Sequence, residues 1–193
     1  MKFKLSATLF LVLAVEAMAH ATPITYSIST YASGTLGAST FTDQLVTISY
    51  FGDTTGLTTV AGSIVNTGGI SGVDVAGLGS ALFTDSTEFF ITGSANFAAI
   101  YDITASSVVG SFNGAFASYA GDTSLGPLVS LYYTLPSYSF GTTSGALVIS
   151  SLTSTDNLGA FEADLAPVPE PSTLLFVGTG IAGVFSAIRK RLT

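Results

Sequence analysis

The side chains of this 193-residue chain that could do chemistry are nearly all carboxylates. Between Thr22 and Leu165 the sequence has no Lys, Arg, Cys or Trp, and its single histidine, His20, lies just before that interval. The interval holds ten carboxylates: Asp43, Asp53, Asp74, Asp85, Glu88, Asp102, Asp122, Asp156, Glu162 and Asp164. The chemistry open to it is therefore carboxylate acid–base catalysis or the binding of cations by carboxylate oxygens.

The missing residue types exclude several classes of site. Without Cys, and with His20 at the boundary, the interval cannot build a Ser-His-Asp or Cys-His centre or a His/Cys zinc site. Without Lys it has neither a Schiff-base residue nor a G-x-x-x-x-G-K phosphate loop. Nucleic acid is excluded as a partner because phosphate binding relies on Lys and Arg. We therefore predict a protein that is not an enzyme.

Two uses of the carboxylates stay open as alternatives. A polysaccharide hydrolase needs a pair of carboxylates, and the closest local pair is Asp85 and Glu88. Calcium could bind acidic turns, although no D-x-D-x-D-G loop is present. Most of the carboxylates lie beside Gly, Thr or Asn, where turn formation explains them. We predict no catalytic, cofactor or metal site, and keep a carboxylate-based hydrolase or a calcium-dependent carbohydrate-binding module as the alternative.

The eight tyrosines are a second candidate for contact with carbohydrate. Tyr132, Tyr133 and Tyr138 could stack on sugar rings. Tyrosines in strands more often fill half-buried positions of a sheet, and we favour that interpretation here.

Periodicity predicts that β-strands carry these residues. Apolar and polar residues alternate over Ile24–Ser29 and Val46–Tyr50. Eight further strands are predicted at Gly62–Val65, Ala81–Thr84, Glu88–Thr92, Ala98–Ile103, Gly114–Tyr119, Val129–Leu135, Ala146–Ser150 and Gly159–Leu165. Turn signals such as Gly52–Gly56 separate them. We expect an all-β, antiparallel β-sandwich or jelly-roll-like ectodomain over residues 22–165, with a β-solenoid as the alternative.

The N-terminus has the features of a secretory signal peptide. Lys2 and Lys4 precede an apolar run from Leu5 to Val15, and small residues follow. That run is shorter than the roughly 20 residues of a membrane-spanning helix. We predict cleavage after Ala21, with cleavage after Ala19 as the alternative.

The C-terminal residues 166–193 contain three parts in a fixed order. Pro169–Pro171 comes first, an uncharged apolar segment at 172–188 follows, and Arg189–Arg191 comes near the end. The segment has about the minimum length of a transmembrane helix, and its glycines are tolerated in lipid. The basic cluster would hold its own end at the cytoplasmic surface, so that the ectodomain lies across the membrane.

This three-part tail, with a signal peptide at the opposite terminus, resembles the PEP-CTERM sorting signal. Proteins with that signal are exported by Gram-negative bacteria, usually ones that make exopolysaccharide, and a membrane-embedded exosortase processes their tails. The resemblance implies a recognition motif of Pro169, Glu170 and Pro171 and a retention cluster of Arg189, Lys190 and Arg191. It implies as partners an exosortase-like enzyme and, transiently through the C-terminal helix, the inner membrane.

The resemblance also implies where the protein acts. A membrane-anchored precursor would be processed and would then reside at the cell surface, in the outer envelope or in the extracellular matrix. We therefore predict a non-enzymatic, exported protein of the biofilm or exopolysaccharide, for which exopolysaccharide is a further candidate partner.

Overall fold

The computed structural model describes residues 21–134, 139–153 and 158–167, and these form thirteen β-strands and three short 3₁₀ turns. The strands are β1 (Pro23–Leu36), β2 (Ser39–Asp53), β3 (Leu57–Val60), β4 (Ser63–Asn66), β5 (Ile70–Val75), β6 (Gly79–Leu82), β7 (Thr87–Thr92), β8 (Phe97–Asp102), β9 (Ser107–Phe112), β10 (Leu125–Thr134), β11 (Ser139–Phe140), β12 (Leu147–Leu152) and β13 (Leu158–Leu165). The 3₁₀ turns are Thr54–Gly56, Gly93–Ala95 and Gly114–Ala117.

Every pair among these strands is antiparallel. The prediction of an all-β antiparallel fold is confirmed. The parallel coils of a β-solenoid are not found among the described strands.

The strands form one connected sheet in the order β3-β4-β7-β8-β9-β10-β13-β1-β2-β5-β6. β12 pairs with the second half of β1, from Ala32 to Leu36, and β11 pairs with β12. A bridge between Phe83 and Thr142 joins the chain after β6 to the chain after β11. The β6 side of the sheet therefore connects back to β1 through β11 and β12.

The two halves of the sheet face each other across a common core. Phe89 of β7 stacks on Tyr26 of β1 with ring centroids 3.6 Å apart, although four strands lie between β7 and β1 in the sheet. Phe116 meets Phe161 of β13 edge to face at 4.8 Å. Residues Ala21–Ala166 thereby pack as one compact unit.

The alternation in the first two strands determines which side chains enter that core. Ile28 of β1 faces Ile48 of β2, and Tyr26 faces Tyr50; all four side chains are buried. The intervening Ser27 points outward and hydrogen-bonds through its hydroxyl across the strand pair. Burying side chains of this kind stabilises the fold by about 1.5–3 kcal/mol each.

One predicted strand, Gly114–Tyr119, is wrong. The chain forms a 3₁₀ turn at Gly114–Ala117, and the Asn113 side chain caps it by accepting a hydrogen bond from the amide of Ala115 at 2.9 Å. An Asn at this position favours a helical start because its side chain replaces a missing backbone acceptor.

The predicted transmembrane segment at 172–188 and the signal peptide before Ala21 lie outside the described residues. Within the part of the chain that the structure describes, no helix is both long enough and apolar enough to cross a bilayer.

Candidate functional site

Asp53 shows how the carboxylates of the body are used. Its Oδ1 accepts hydrogen bonds from the Thr55 hydroxyl, from the Thr55 amide at 2.7 Å and from the Gly56 amide at 3.1 Å. These bonds, that of the Thr55 hydroxyl foremost, hold the pKa of Asp53 below its ordinary value because they stabilise the charged form. The carboxylate therefore serves to start the first 3₁₀ turn.

Asp102 and Asp74 also accept local hydrogen bonds. Asp102 of β8 is fully buried, and its Oδ1 accepts from the amides of Thr104 at 2.9 Å and Ala105 at 2.8 Å. Its Oδ2 has no hydrogen-bond partner among the described residues. Asp74 accepts from the Ser80 hydroxyl at 2.6 Å across the β5–β6 hairpin. Asp102 therefore acts as an Asx-type turn group, and Asp74 as a cross-strand partner of Ser80.

The other carboxylates do not gather into a group. Asp85 and Glu88 are half-buried on either side of Thr87, and Asp156 lies in a segment that the structure does not describe. The exposed carboxylates are Asp43, Asp122, Glu162 and Asp164. Over the described ranges, no three His, Cys, Asp or Glu side chains lie close enough together to hold a metal ion.

A buried polar network surrounds Asn66, the last residue of β4. The Tyr50 hydroxyl donates to the carbonyl of Asn66 at 2.8 Å and accepts from the amide of Gly69 at 2.9 Å. The Asn66 Nδ2 donates to the carbonyl of Asp53 at 2.9 Å. These contacts tie β2 to the end of β4 and to the loop that follows it.

Tyr26 extends this network toward the second half of the core. Its hydroxyl donates to the carbonyl of Gly121 at 2.5 Å and receives a long hydrogen bond from Asn66 Nδ2 at 3.4 Å. Burial raises the pKa of Tyr26 to about 12 and also raises the pKa of Tyr50. Both hydroxyls therefore act as neutral hydrogen-bonding groups of the interior.

The tyrosines considered for sugar stacking differ in whether the structure describes their side chains. Tyr132 is buried, its hydroxyl has no hydrogen-bond partner among the described residues, and burial raises its pKa. Tyr138 and the side chain of Tyr133 lie outside what the structure describes. Tyr31 is the exposed tyrosine, with 54% of its surface accessible. Of Tyr31 and Tyr132, only Tyr31 is accessible to a ligand.

The outer face of the sheet carries a row of exposed apolar side chains, which we call the apolar row. Phe112 of β9 faces Leu131 of β10, which in turn faces Leu158 of β13. Tyr31 of β1 faces Leu45 of β2, and these two residues line one shallow depression with Leu158. The exposed fractions of the row are Phe112 37%, Leu131 52%, Leu158 42%, Tyr31 54% and Leu45 39%.

Two further rings continue the row. Phe97 of β8 lies 4.5 Å from Phe112, and Phe90 of β7 lies 5.8 Å from Phe97, between ring centroids. Gly110 permits this arrangement, because a Cβ there would lie 2.2 Å from the Phe97 Cζ. The row crosses seven neighbouring strands from β7 to β2, or about 30 Å at the usual strand spacing.

The two ends of the body lie side by side. Ile24 of β1 faces Leu165 of β13, and the amide of Ala166 donates to the carbonyl of Pro23 at 3.0 Å. Ala21, the residue predicted to precede the cleaved bond, is exposed. The chain therefore enters the body and leaves it at the same end of the β1–β13 strand pair.

The predicted sorting residues come after β13 in the sequence and lie outside the described residues: Pro169, Glu170, Pro171, Arg189, Lys190 and Arg191. The family model of the PEP-CTERM protein-sorting motif matches residues 167–191, which include all six. No curated protein and no solved structure was found to match the chain. The chain therefore carries a PEP-CTERM sorting motif, as its sequence predicts. Sequence reasoning missed the apolar row, whose members become neighbours only through strand pairing.

Proposed function

We propose that this chain is the precursor of a protein that is sorted by an exosortase-like system and then acts at the cell surface or in the extracellular matrix of a Gram-negative bacterium. The PEP-CTERM match at residues 167–191 carries this proposal, because the motif implies an exported protein that a membrane enzyme processes. We further propose that Pro169–Pro171 is the recognised motif, that 172–188 spans the inner membrane and that Arg189–Arg191 retains its cytoplasmic end. The signal peptide is removed after Ala21.

The position of the two ends supports this processing scheme. Pro23 and Ala166 are hydrogen-bonded neighbours, so the first and last residues of the folded, sandwich-like body lie side by side. A signal peptidase and an exosortase-like enzyme could each act there without unfolding the sheet.

The body acts by binding and not by catalysis in this proposal. Asp53 and Asp102 bond to the turns that follow them, and Asp74 bonds to Ser80 across the β5–β6 pair, which gives all three a structural use. The outer face, in contrast, offers a long exposed surface in the apolar row.

Substitutions in the tail test the sorting role. The full chain and its variants are expressed in a host with an active exosortase, and membrane, envelope and medium fractions are followed by immunoblot. We expect Pro169→Ala with Pro171→Ala, and separately Arg189→Gln with Lys190→Gln and Arg191→Gln, to leave the precursor in the inner membrane. Pro167→Ala is the matched control, because it changes a neighbouring proline outside the Pro169–Pro171 triplet. Processing of the variants at the unaltered rate would overturn the sorting role.

Contact with a neutral polysaccharide is a second candidate function, and the apolar row favours it. Three rings in succession, Phe90, Phe97 and Phe112, give apolar surface of the kind that packs against sugar faces. The body has ten carboxylates and no Lys or Arg between Thr22 and Leu165, so an acidic polysaccharide would be repelled.

Affinity electrophoresis in gels that contain the host's neutral exopolysaccharide tests this second function. We expect Phe112→Ser with Leu131→Ser to remove the retardation of the protein. Ile103→Ser is the control, since Ile103 is 51% exposed but lies off the row, in the turn after β8. Equal retardation of the row variant and the wild type would exclude the row as the binding surface.

A further inference from the structure

The edge strand β3 has backbone groups that point away from the sheet. β3 pairs only with β4 among the described strands, through a hairpin whose turn residues Ala61 and Gly62 have φ of 50° and 83°. In such a two-residue hairpin, Val60 and Ser63 exchange hydrogen bonds, and the bonded pairs then alternate along the strand. Thr59 therefore directs both its N–H and its C=O away from β4.

The opposite end of the sheet is different, because the outer side of β6 is occupied. The amide of Leu82 donates to the Thr143 hydroxyl at 3.2 Å, and the amide of Thr143 donates to the carbonyl of Leu82 at 2.9 Å. Two residues on, the amide of Thr84 donates to the carbonyl of Gly141 at 2.9 Å. Of the two ends of the sheet, β3 is therefore the one with no strand on its outer side among the described residues.

The distribution of charge around β3 indicates which partner can pair with this strand. The body carries ten carboxylates and no side-chain cation, so two copies repel each other over most of their surface. The sequence from Thr54 to Val73 has no charged residue, and β3 lies within it. Sheet edges that avoid pairing usually carry a charge or a proline, and Leu57–Val60 has neither.

The nearest carboxylates lie at the beginning of β3, away from the site of pairing. Asp53 precedes the 3₁₀ turn before the strand, and Asp122 follows Gly121, which packs against Leu57. The strand then leads away by about 10 Å to Val60, at the usual rise per residue. The exposed residues Thr58, Thr59 and Val60 are β-branched, as suits a paired strand.

We propose that β3 pairs antiparallel with β3 of a second copy of this chain, so that the two sheets continue into one another. Thr59 of each copy donates its N–H to the carbonyl of Thr59 in the other copy, which gives a closed, two-fold symmetric dimer. The contact is small relative to stable interfaces of about 800 Å² per partner, so the dimer depends on protein concentration. Copies tethered to one membrane reach a high local concentration. The pairing rests on the exposed edge of β3, and only the tethering to a membrane rests on the proposed function of the tail.

Cysteine cross-linking of the full chain in detergent tests the pairing cleanly, because the natural sequence has no Cys. Thr59→Cys is treated with a short bis-maleimide and compared with Ser80→Cys, an exposed position on the occupied edge strand β6. We expect a covalent dimer from Thr59→Cys that increases with protein concentration, and only monomer from Ser80→Cys. Equal cross-linking at the two positions, or none at Thr59→Cys at any concentration, would overturn the proposal.

A proline substitution distinguishes cross-linking that depends on backbone pairing from cross-linking between copies that are only close to each other. Thr59→Pro removes the outward N–H at an edge position, where proline is tolerated, and Val60→Cys serves as the reporter of cross-linking. We expect the loss of the two exchanged hydrogen bonds to weaken dimerisation by at least about tenfold, with an unchanged circular dichroism spectrum. Unchanged cross-linking in the folded proline variant contradicts the pairing. Either result is independent of the localisation experiment, so failure of the dimer and failure of the sorting role are distinguishable.

Discussion

Phe89 and Phe112 lie two strands apart in the same sheet but in opposite environments. Phe89 of β7 is fully buried against Tyr26, whereas Phe112 of β9 has 37% of its surface exposed in the apolar row. The tyrosines divide similarly, since the hydroxyls of Tyr26 and Tyr50 bond within the core and Tyr31 lies on the outer face. The comparison indicates that burial on the inner face stabilises the body, whereas Tyr31 and Phe112 on the outer face keep part of their surface exposed.

Removal of one phenylalanine from each face should test this difference between the faces most clearly. We expect Phe89→Ala to lower the free energy of unfolding by about 3–5 kcal/mol, because it leaves a cavity beside Tyr26. Phe112→Ala should lower it by less than about 1 kcal/mol, since the ring is partly exposed. Urea unfolding followed by circular dichroism measures both. Losses of equal size would mean that the apolar row is part of the core.

High pH should unfold the body through its inner tyrosines. The pKa of Tyr26 is raised to about 12 by burial, and burial also raises the pKa values of Tyr50, Tyr119 and Tyr132. A folded-state pKa above the ordinary value of about 10 contributes stability that is complete below pH 10 and is lost as the pH rises toward the folded pKa. Thermal melts from pH 8 to 12 should show a steep fall in melting temperature above pH 10. A melting temperature that stays constant to pH 12 would contradict the buried placement.

The same substitution at two inner tyrosines should give different results. Tyr50→Phe leaves the amide of Gly69 and the carbonyl of Asn66 without their partner, which should cost about 1–3 kcal/mol of stability. Tyr132→Phe removes a buried hydroxyl that has no partner among the described residues, so stability should change by less than about 1 kcal/mol or increase. The free energies of unfolding in urea check the order of the two variants. A larger loss at Tyr132 would mean that its hydroxyl bonds to a group that the described residues do not include.

Salt should have the smallest effect on stability, and it should raise the melting temperature. The body has ten carboxylates and no Lys or Arg to pair with them, so screening removes repulsion and breaks no side-chain ion pair. Raising NaCl from about 0.01 M to about 1 M shortens the screening length from about 30 Å to about 3 Å and should raise the melting temperature. Glu162→Gln with Asp164→Asn should reduce that rise. A melting temperature that falls with NaCl would point to favourable charge pairs.

Strands with a regular alternation of apolar and polar residues could be predicted from the sequence. β1 and β2 follow the alternation of Ile24–Ser29 and Val46–Tyr50. β5 and β9 were missed because serines interrupt the apolar series at their inner positions. Ser71 of β5 is buried and shares a hydrogen bond with Thr87, and Ser111 of β9 is buried and donates to Ser130. A hydroxyl pair of this kind is acceptable inside a protein because the two groups hydrogen-bond to each other. It nevertheless interrupts the alternation of apolar and polar residues by which a strand is predicted.

One candidate site could be predicted from the sequence and another could not. The sorting motif could be recognised because its parts are contiguous in sequence, and the match at 167–191 confirms it. The apolar row could not be recognised, because Tyr31, Phe112 and Leu158 are distant in sequence and only the pairing of β9, β10, β13 and β1 brings them to one face. The open edge at β3 likewise depends on the order of strands, which the sequence alone does not determine.

The intact mass of the mature protein, purified from a host with an active exosortase, tests most directly that the tail sorts and processes this chain. The full chain has a mass of 19.6 kDa. The account predicts a smaller protein that begins at Thr22 and has lost the residues after the Pro169–Pro171 motif. A mature protein of full mass, or one that has lost only its N-terminal segment while residues 172–193 remain, would contradict the account.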